Sequence, residues 1–163
     1  MAADSTFTPA VTRLGCSRGV STLTAFGLAV EIGDFHRLSG RSIGAYLALV
    51  PTESSSGASR AQGSITKTGS GHARRLLVEA AWHHRRPHRP GVDLRHRWDK
   101  ATPAARARGH QDDRRLHARC NVYDQHRKRA VVANTAITRE FAGWCWSLAV
   151  LHDQPQMSGR PWR

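Results

Sequence analysis

The segment at residues 52–77 restricts the fold more than any other part of the sequence. It is rich in serine, glycine and threonine and has almost no apolar side chains before Leu76. A segment of this composition cannot contribute much to a hydrophobic core, so we predict a long loop with a short extended piece at 64–67. The core must come from the sequence on either side of it.

The flanking sequence carries helix signals. Ser21 or Thr22 can cap a helix that Gly33 ends. Apolar residues recur along it at helical spacing: Leu23, Phe26 and Val30, with Leu28 or Ile32. Further helices are predicted at 42–49, 72–84, 102–124 and 131–151, the third opened by Thr102 as N-cap and Pro103. The predicted fold class is mainly α, with a helix-hairpin-helix-like start, a central Ser/Gly loop and then packed helices.

The length of 163 residues favours one domain. We predict that it covers 14–151, between a disordered N-terminus at 1–13 and a disordered tail at 152–163. Three widely spaced cysteines, Cys16, Cys120 and Cys145, indicate neither a disulfide framework nor a zinc ribbon. We also expect no membrane span, no signal peptide and a reduced cytoplasm as the compartment.

The charge points to a polyanionic partner. The chain has 25 Lys and Arg against 12 Asp and Glu, a formal net charge of +13. Residues 83–129 hold fourteen of these basic residues, five acidic ones and seven of the ten histidines. This composition is typical of a surface that faces nucleic-acid phosphates.

Two segments could contact phosphate. In "CSRGVSTLTA", Arg18 and Gly19 lie in a turn before a helix N-terminus, whose N–H groups and dipole attract anions. In the central segment, Ser56-Gly57 can expose a hydroxyl near Arg60, Lys67, Arg74 and Arg75. Packed helices joined by a glycine turn, and a flexible loop with solvated arginines, are the alternatives from composition alone. The order of a nucleotide triphosphatase phosphate loop is absent.

Histidine and tryptophan clusters also invite functional interpretations. His83, His84 and His88 match no metal-site spacing and lie among arginines, so we predict no metal site and a solvated basic surface. Most tryptophans have apolar neighbours typical of a core. Trp98, between Arg97 and Lys100, is the candidate for stacking on a base.

Three ungapped blocks resemble a known family. They are "GDFHRLSGRSIGAYLALVPTESSSGASRAQGSITKTGSGHARRLLVEAAWHHR", "RRLHAR" and "TAITREFAGWCWSLA". In this order they are similar to the C-terminal transposase domain of the insertion sequence 110 family, the DEDD-type, bridge-RNA-guided recombinases of bacterial mobile elements. The resemblance covers about 14–150.

The resemblance implies a nucleophilic serine that links covalently to DNA. The family's Ser-Gly pair ahead of the G-x-I-T-K-x-G block falls on Ser56-Gly57, which makes Ser56 the catalytic candidate, with Ser54 and Ser55 close in register. Arg60, Lys67, Arg74 and Arg75, with Arg18 and Gly19, are the nucleic-acid-binding candidates.

The resemblance also implies an N-terminal RuvC-like half with four metal-binding acidic residues, which this sequence does not contain. We therefore expect a transposase fragment that is inactive alone, holds no cofactor itself and meets a divalent metal only with that half. The implied partners are DNA, a structured guide RNA, and a full-length relative or a second copy, at the bacterial nucleoid. The alternatives are a non-catalytic nucleic-acid-binding module and a decayed transposase fragment.

Overall fold

The structure is a computed structural model that describes residues 6–56, 59–65 and 68–152. These residues form a mainly helical fold with one two-stranded antiparallel sheet, which confirms the prediction of a mainly α class. Short 3-10 turns lie at Phe35–Arg37 and Trp82–Arg85. The main elements, in chain order, are α1 (Thr8–Leu14), α2 (Thr22–Ile32), α3 (Ser42–Tyr46), β1 (Pro51–Ser56), β2 (Ser59–Ile65), α4 (Gly71–Ala81), α5 (Val92–Asp99), α6 (Pro103–Gln125) and α7 (Ala130–Ala149).

Hydroxyl side chains begin three of the helices. Ser21, Ser70 and Thr102 each accept a hydrogen bond from the backbone N–H three residues on, at the starts of α2, α4 and α6. Each bond satisfies an N–H group that has no partner within the helix. Pro103 adds the fixed φ that suits a first helical position. Ser21, one of the two predicted N-caps of the first helix, and Thr102 with Pro103 therefore begin their helices in the structure.

α7 is the central helix of the core. It contacts α1, α3, α4 and α6, and α6 runs back along it after a short connection. Ile137, Phe141 and Leu148 are buried on α7 and pack with Leu28, Leu77 and Leu116 from other helices. In the described part of the chain, no helix is long and apolar enough to cross a membrane.

The predicted ends of the chain need one correction. Thr8–Leu14 form α1, and Leu14 is fully buried, so the prediction of disorder is wrong for that part of 1–13. Pro9 sets a helical φ in the first turn of this helix. Residues 1–5, and 153–163 of the predicted tail, lie outside the described residues.

The prediction of a long loop at 52–77 is also wrong. Pro51–Ser56 and Ser59–Ile65 pair as an antiparallel hairpin, with residues 57 and 58 outside the description. Serine, glycine and threonine runs resemble loops in composition, but hairpin formation depends on pairing across the turn. The extended piece predicted at 64–67 belongs, as far as Ile65, to the second strand.

The apolar residues that recur along α2 do not all face the core. Leu28 and Ile32 are buried with Ala25 and Ala29. Leu23, Phe26 and Val30 are instead exposed, by 82%, 44% and 50%. The helix is apolar around most of its circumference, so spacing alone could not show which side faces the core.

Candidate functional site

The serine candidate lies at the end of a hairpin strand. Ser56 is the last residue of β1, and its Cα pairs with that of Ser59, the first residue of β2. Ser55 pairs with Arg60 and Ser54 with Ala61. The backbone therefore places Ser56 beside the turn and the other two candidate serines successively further from it.

Both legs of the hairpin are held at one end of α3. β1 begins at Pro51, shortly after α3 ends at Tyr46. After β2 the chain returns to the same place, where a Cβ built on Gly69 would lie 2.2 Å from the carbonyl oxygen of Tyr46. Arg74 adds a hydrogen bond of 3.2 Å from its guanidinium to the carbonyl oxygen of Leu47. These contacts fix where the hairpin leaves the helical body.

A groove with a volume of about 1200 Å³ runs beside the base of the hairpin. One wall is formed by Pro51, Gly63 and Ile65 of the hairpin. The other walls come from α3, the C-terminal half of α6 and the N-terminal half of α7, where Val131 and Val132 are exposed. The groove is thus continuous with the strands that carry the serine candidate.

The groove carries an excess of positive charge. Its lining includes Arg41, Arg119 and Arg139 against one acidic residue, Glu140. Glu140 is already paired, with Arg115 at 3.0 Å and Arg119 at 3.3 Å. Arg41 and Arg139 are exposed and form no hydrogen bond or ion pair with any residue that the structure describes. Their guanidinium groups are available to an anionic ligand. Neither residue is among the candidates predicted from the sequence.

Arg18 and Gly19 lie in the turn between α1 and α2, which supports the helix-hairpin-helix-like start. The side chain of Arg18 is only 16% exposed, donates hydrogen bonds to the carbonyl oxygens of Arg86 and Pro87, and lies 3.8 Å from Asp113. Gly19 has φ of +79°, and a Cβ there would lie 2.4 Å from the carbonyl oxygen of Ala80. Both residues therefore dock the turn onto its neighbours, and their binding to nucleic acid stays a prediction.

The remaining candidates are brought together only in part. Arg74 is half-buried by its contact with Leu47, whereas Arg75, its neighbour on α4, is exposed. Arg60 lies in β2, with its backbone opposite Ser55. Lys67 lies outside the described residues. The contact of these four residues with nucleic acid stays a prediction.

A buried polar cluster joins three segments that lie far apart in the sequence. His84 is fully buried, which corrects its prediction as solvated surface, and its Nδ1 lies 3.0 Å from the carboxylate of Asp113. The ring of His88 also bonds to Asp113, and its Nε2 lies 2.9 Å from Nδ1 of His110. Arg18 forms an ion pair with the same carboxylate. The cluster therefore connects the α1–α2 turn, the 3-10 turn at Trp82–Arg85 with the residues after it, and α6.

Burial and hydrogen bonding have opposite effects on the pKa values of this cluster. Burial lowers the pKa of His84, although the hydrogen bond to Asp113 acts in the other direction. Burial alone would raise the pKa of Asp113, but the bonds from His84 and His88 outweigh it, so that pKa lies below its usual value. A neutral His84 donating to an ionised Asp113 satisfies both conditions. The bonds to Asp113 fasten these segments to one another.

The adjacent carboxylate has a different environment. Asp112 is fully buried, accepts a hydrogen bond from Ser17, and has its pKa raised well above the usual range by burial. Among the described residues, no group of three or more His, Cys, Asp or Glu side chains is arranged to hold a metal ion. Asp112 and Asp113 are thus bonded within the protein. Ser17 lies 95 residues from Asp112, and His84 lies 29 residues from Asp113, so no local pattern in the sequence indicates either pair.

Trp98, the predicted candidate for stacking on a base, is fastened to the helical body, and its contact with a base stays a prediction. It is half-buried, packs against the core, and its Nε1 donates a 2.9 Å hydrogen bond to the carbonyl oxygen of Cys16. Trp82 is more exposed, and the guanidinium of Arg85 lies 5.7 Å from its ring centre. Trp82 is therefore an exposed aromatic side chain beside an arginine.

Comparison with known proteins identifies the class. The model of the transposase IS116/IS110/IS902 family matches residues 12–97, which include α2, the hairpin and α4. The match covers more than half of the chain. This chain belongs to the IS116/IS110/IS902 transposase family, as the resemblance of its sequence blocks predicted.

Curated relatives carry transposase names. The chain is 37% identical over 140 residues to the protein y4qE of Sinorhizobium fredii, described as a transposase, which covers 85% of this chain and 36% of that protein. It is 42% identical over 64 residues to the transposase for insertion sequence element IS1328 of Yersinia enterocolitica, covering 39% and 19%. A family 20 transposase of Pseudomonas aeruginosa is 33% identical over 89 residues, covering 54% and 26%. The chain spans about a third or less of these relatives. No solved structure matches it.

Proposed function

We propose that this chain is a DNA-binding domain that takes part in DNA transposition through Ser56 as nucleophile. The Ser56 oxygen would attack a DNA phosphodiester and form a bond to phosphorus, while one ester bond of that phosphate breaks. The serine proton passes to a base, and the displaced DNA strand leaves with a free hydroxyl end. The product is a phosphoserine link that a second DNA end can resolve.

The observation that carries this proposal is the position of Ser56. It occupies the last position of β1, next to the turn of a hairpin whose base is fixed to α3. A strand held at its base is a more precise support for a nucleophile than a free loop. The match of the transposase family over this region supports the same assignment.

The groove beside the hairpin supports binding to DNA. Arg41 and Arg139 provide two guanidinium groups without partners in the described part of the chain, and guanidinium pairs well with phosphate. The net charge of +13 adds long-range attraction for a polyanion. We propose that the groove carries the DNA backbone toward the hairpin.

The described residues do not fit a divalent metal. No cluster of ligands is present among them, and the buried carboxylates Asp112 and Asp113 are bonded to Ser17, His84 and His88. The base that activates Ser56 is proposed to come from a RuvC-like half, and this chain alone is proposed to bind DNA without cleaving it.

Adduct formation tests the proposal. A chimera would carry this chain in place of the 140 matched residues of full-length y4qE, and would be mixed with Mg²⁺, a guide RNA transcribed from the element and end-labelled DNA spanning the element ends. We expect a covalent protein–DNA band on a denaturing gel. Ser56→Ala should abolish it, while Ser55→Ala, one position further from the turn, retains it.

Two results would contradict the assignment. An adduct that persists in Ser56→Ala and disappears in Ser55→Ala or Ser54→Ala would move the nucleophile to that serine. DNA binding without any adduct, in a chimera that is folded, would leave the chain as a nucleic-acid-binding module. Binding itself is measured separately, and Arg41→Ala with Arg139→Ala should weaken it.

A further inference from the structure

An apolar stripe lies exposed along α2. Leu23, Phe26 and Val30 follow one another at spacings of three and four residues, and expose 82%, 44% and 50% of their surface. The opposite side of the helix, at Ala25, Leu28, Ala29 and Ile32, is buried in the core. A helix that is apolar on both sides is typical of one that is covered on both sides.

Glu31, the charged residue of α2, bonds to residues at the start of α4 and not to the stripe. Glu31 accepts hydrogen bonds from Ser70 at 2.7 Å and lies 2.9 Å from His72, at the start of α4. These bonds lower the pKa of Glu31 and fasten α2 to α4. The exposed side of α2 is therefore left with apolar and small polar side chains.

The N-terminal end of the described chain lies against this stripe. Phe7, one residue before α1, packs edge-on against Phe26 with ring centres 6.3 Å apart. Any polypeptide that precedes Phe7 in a longer transposase would leave the domain beside the stripe. In y4qE the matched region is 36% of the protein, so most of that polypeptide lies outside it.

The size of the stripe distinguishes between a tethered and a free partner. Three or four side chains cover on the order of a few hundred Å², within the range of a single apolar patch. A stable complex between separate chains buries roughly 800 Å² on each partner. A second copy of this chain would need more surface than the stripe offers. A covalently attached partner acts at a high effective concentration and needs less.

We propose that the stripe Leu23–Phe26–Val30, with Phe7 at its edge, is the docking surface for an apolar face of the transposase polypeptide outside the matched region. Docking there would set the position of α2, and through Glu31 that of α4 and the segment that anchors the hairpin. This surface is separate from the serine hairpin, and the proposal does not depend on Ser56 chemistry.

Cysteine labelling tests the docking directly, because the native cysteines are buried. Leu23→Cys and Val30→Cys would be placed in this chain alone and in the y4qE chimera. Val92→Cys on α5, 57% exposed, is the matched control on another helix. Labelling by a maleimide would be followed residue by residue with mass spectrometry.

We expect labelling at positions 23 and 30 to slow by about tenfold or more in the chimera, while position 92 reacts equally in both proteins. Equal rates at 23 and 30 in the two proteins would overturn the proposal. Protection in this chain alone that grows with its concentration would assign the stripe to a second copy, which also overturns it. If Cys16, Cys120 and Cys145 become reactive, the chimera is misfolded, and the same comparison is made with a chimera that joins this chain to the remaining y4qE polypeptide through a flexible linker.

Discussion

Gly69 lies against the carbonyl oxygen of Tyr46 so closely that a Cβ at position 69 would be 2.2 Å from that oxygen. The backbone carbonyl carbon of Leu47 would be 3.1 Å from the same Cβ. Both neighbours are backbone atoms, which cannot rotate aside as a side chain can. This contact closes the base of the hairpin and explains why glycine occupies the position.

Gly69→Ala should therefore destabilise the protein by about 1–3 kcal/mol, the usual cost of forcing a methyl group into a packed site. Gly71→Ala, two residues on, is the matched control, because its Cβ would meet only the end of Arg74 at 3.7 Å. Alanine at this first position of α4 should leave stability unchanged or raise it slightly. Urea unfolding measures both. Equal stabilities of the two variants would show that the backbone at 69 can move at little cost.

The paired arginines of α4 should separate binding from stability. Arg75→Ala removes an exposed charge and should weaken binding to DNA, reducing the slope of log K against log salt by about one if Arg75 contacts a phosphate. Arg74→Ala removes the hydrogen bond to Leu47 and should lower the free energy of unfolding by about 1 kcal/mol. Fluorescence titrations at several salt concentrations and urea unfolding distinguish the two. An unchanged salt slope in Arg75→Ala would remove that residue from the interface.

The parts of the fold that were predicted correctly depend on local signals. Thr102 and Pro103 indicate a helix start by their own chemistry, and the chain from 103 to 125 is helical as expected. The hairpin was missed because its strands lack alternating apolar residues, and its formation depends on pairing between Ser56 and Ser59 and further along the strands.

The candidate site shows the same division. Ser56 could be proposed because the family blocks locate it in the sequence. Arg41 and Arg139 could not be proposed from the sequence, because they lie 98 residues apart. They line the same groove only because α3 packs on α7. Likewise, the burial of His84 follows from its contacts with Asp113 and Phe141 across the fold.

Stability should fall as the pH drops below about 6.5, in part because of His84. Burial lowers its pKa in the folded state, so the unfolded chain takes up the proton more readily between the two pKa values. The stabilisation is fully present above the unfolded pKa and is lost as the pH falls toward the folded one. His84→Gln should reduce the pH dependence of the unfolding free energy between pH 7.5 and 5.5 by up to about 1.4 kcal/mol per pH unit.

Urea titrations at each pH measure this difference between wild type and variant. His110, whose pKa is also lowered by burial, contributes in the same direction and remains in the variant. The pH dependence should therefore shrink without vanishing. An identical pH dependence in the two proteins would mean that His84 is not held neutral by its burial.

The three native cysteines should be inert in the folded protein. Burial raises the pKa of Cys16 and Cys120 to about 11 and that of Cys145 well above its usual value. Since the thiolate is the reactive form, only about one thiol in a thousand is ionised at pH 8 when its pKa is near 11. A thiol reagent at pH 8 should label Val92→Cys rapidly and the native cysteines only at the rate of unfolding, and urea should expose all three. Rapid labelling of one native thiol without urea would show that its helix opens locally, with Cys120, at the edge of the core, the first to be examined.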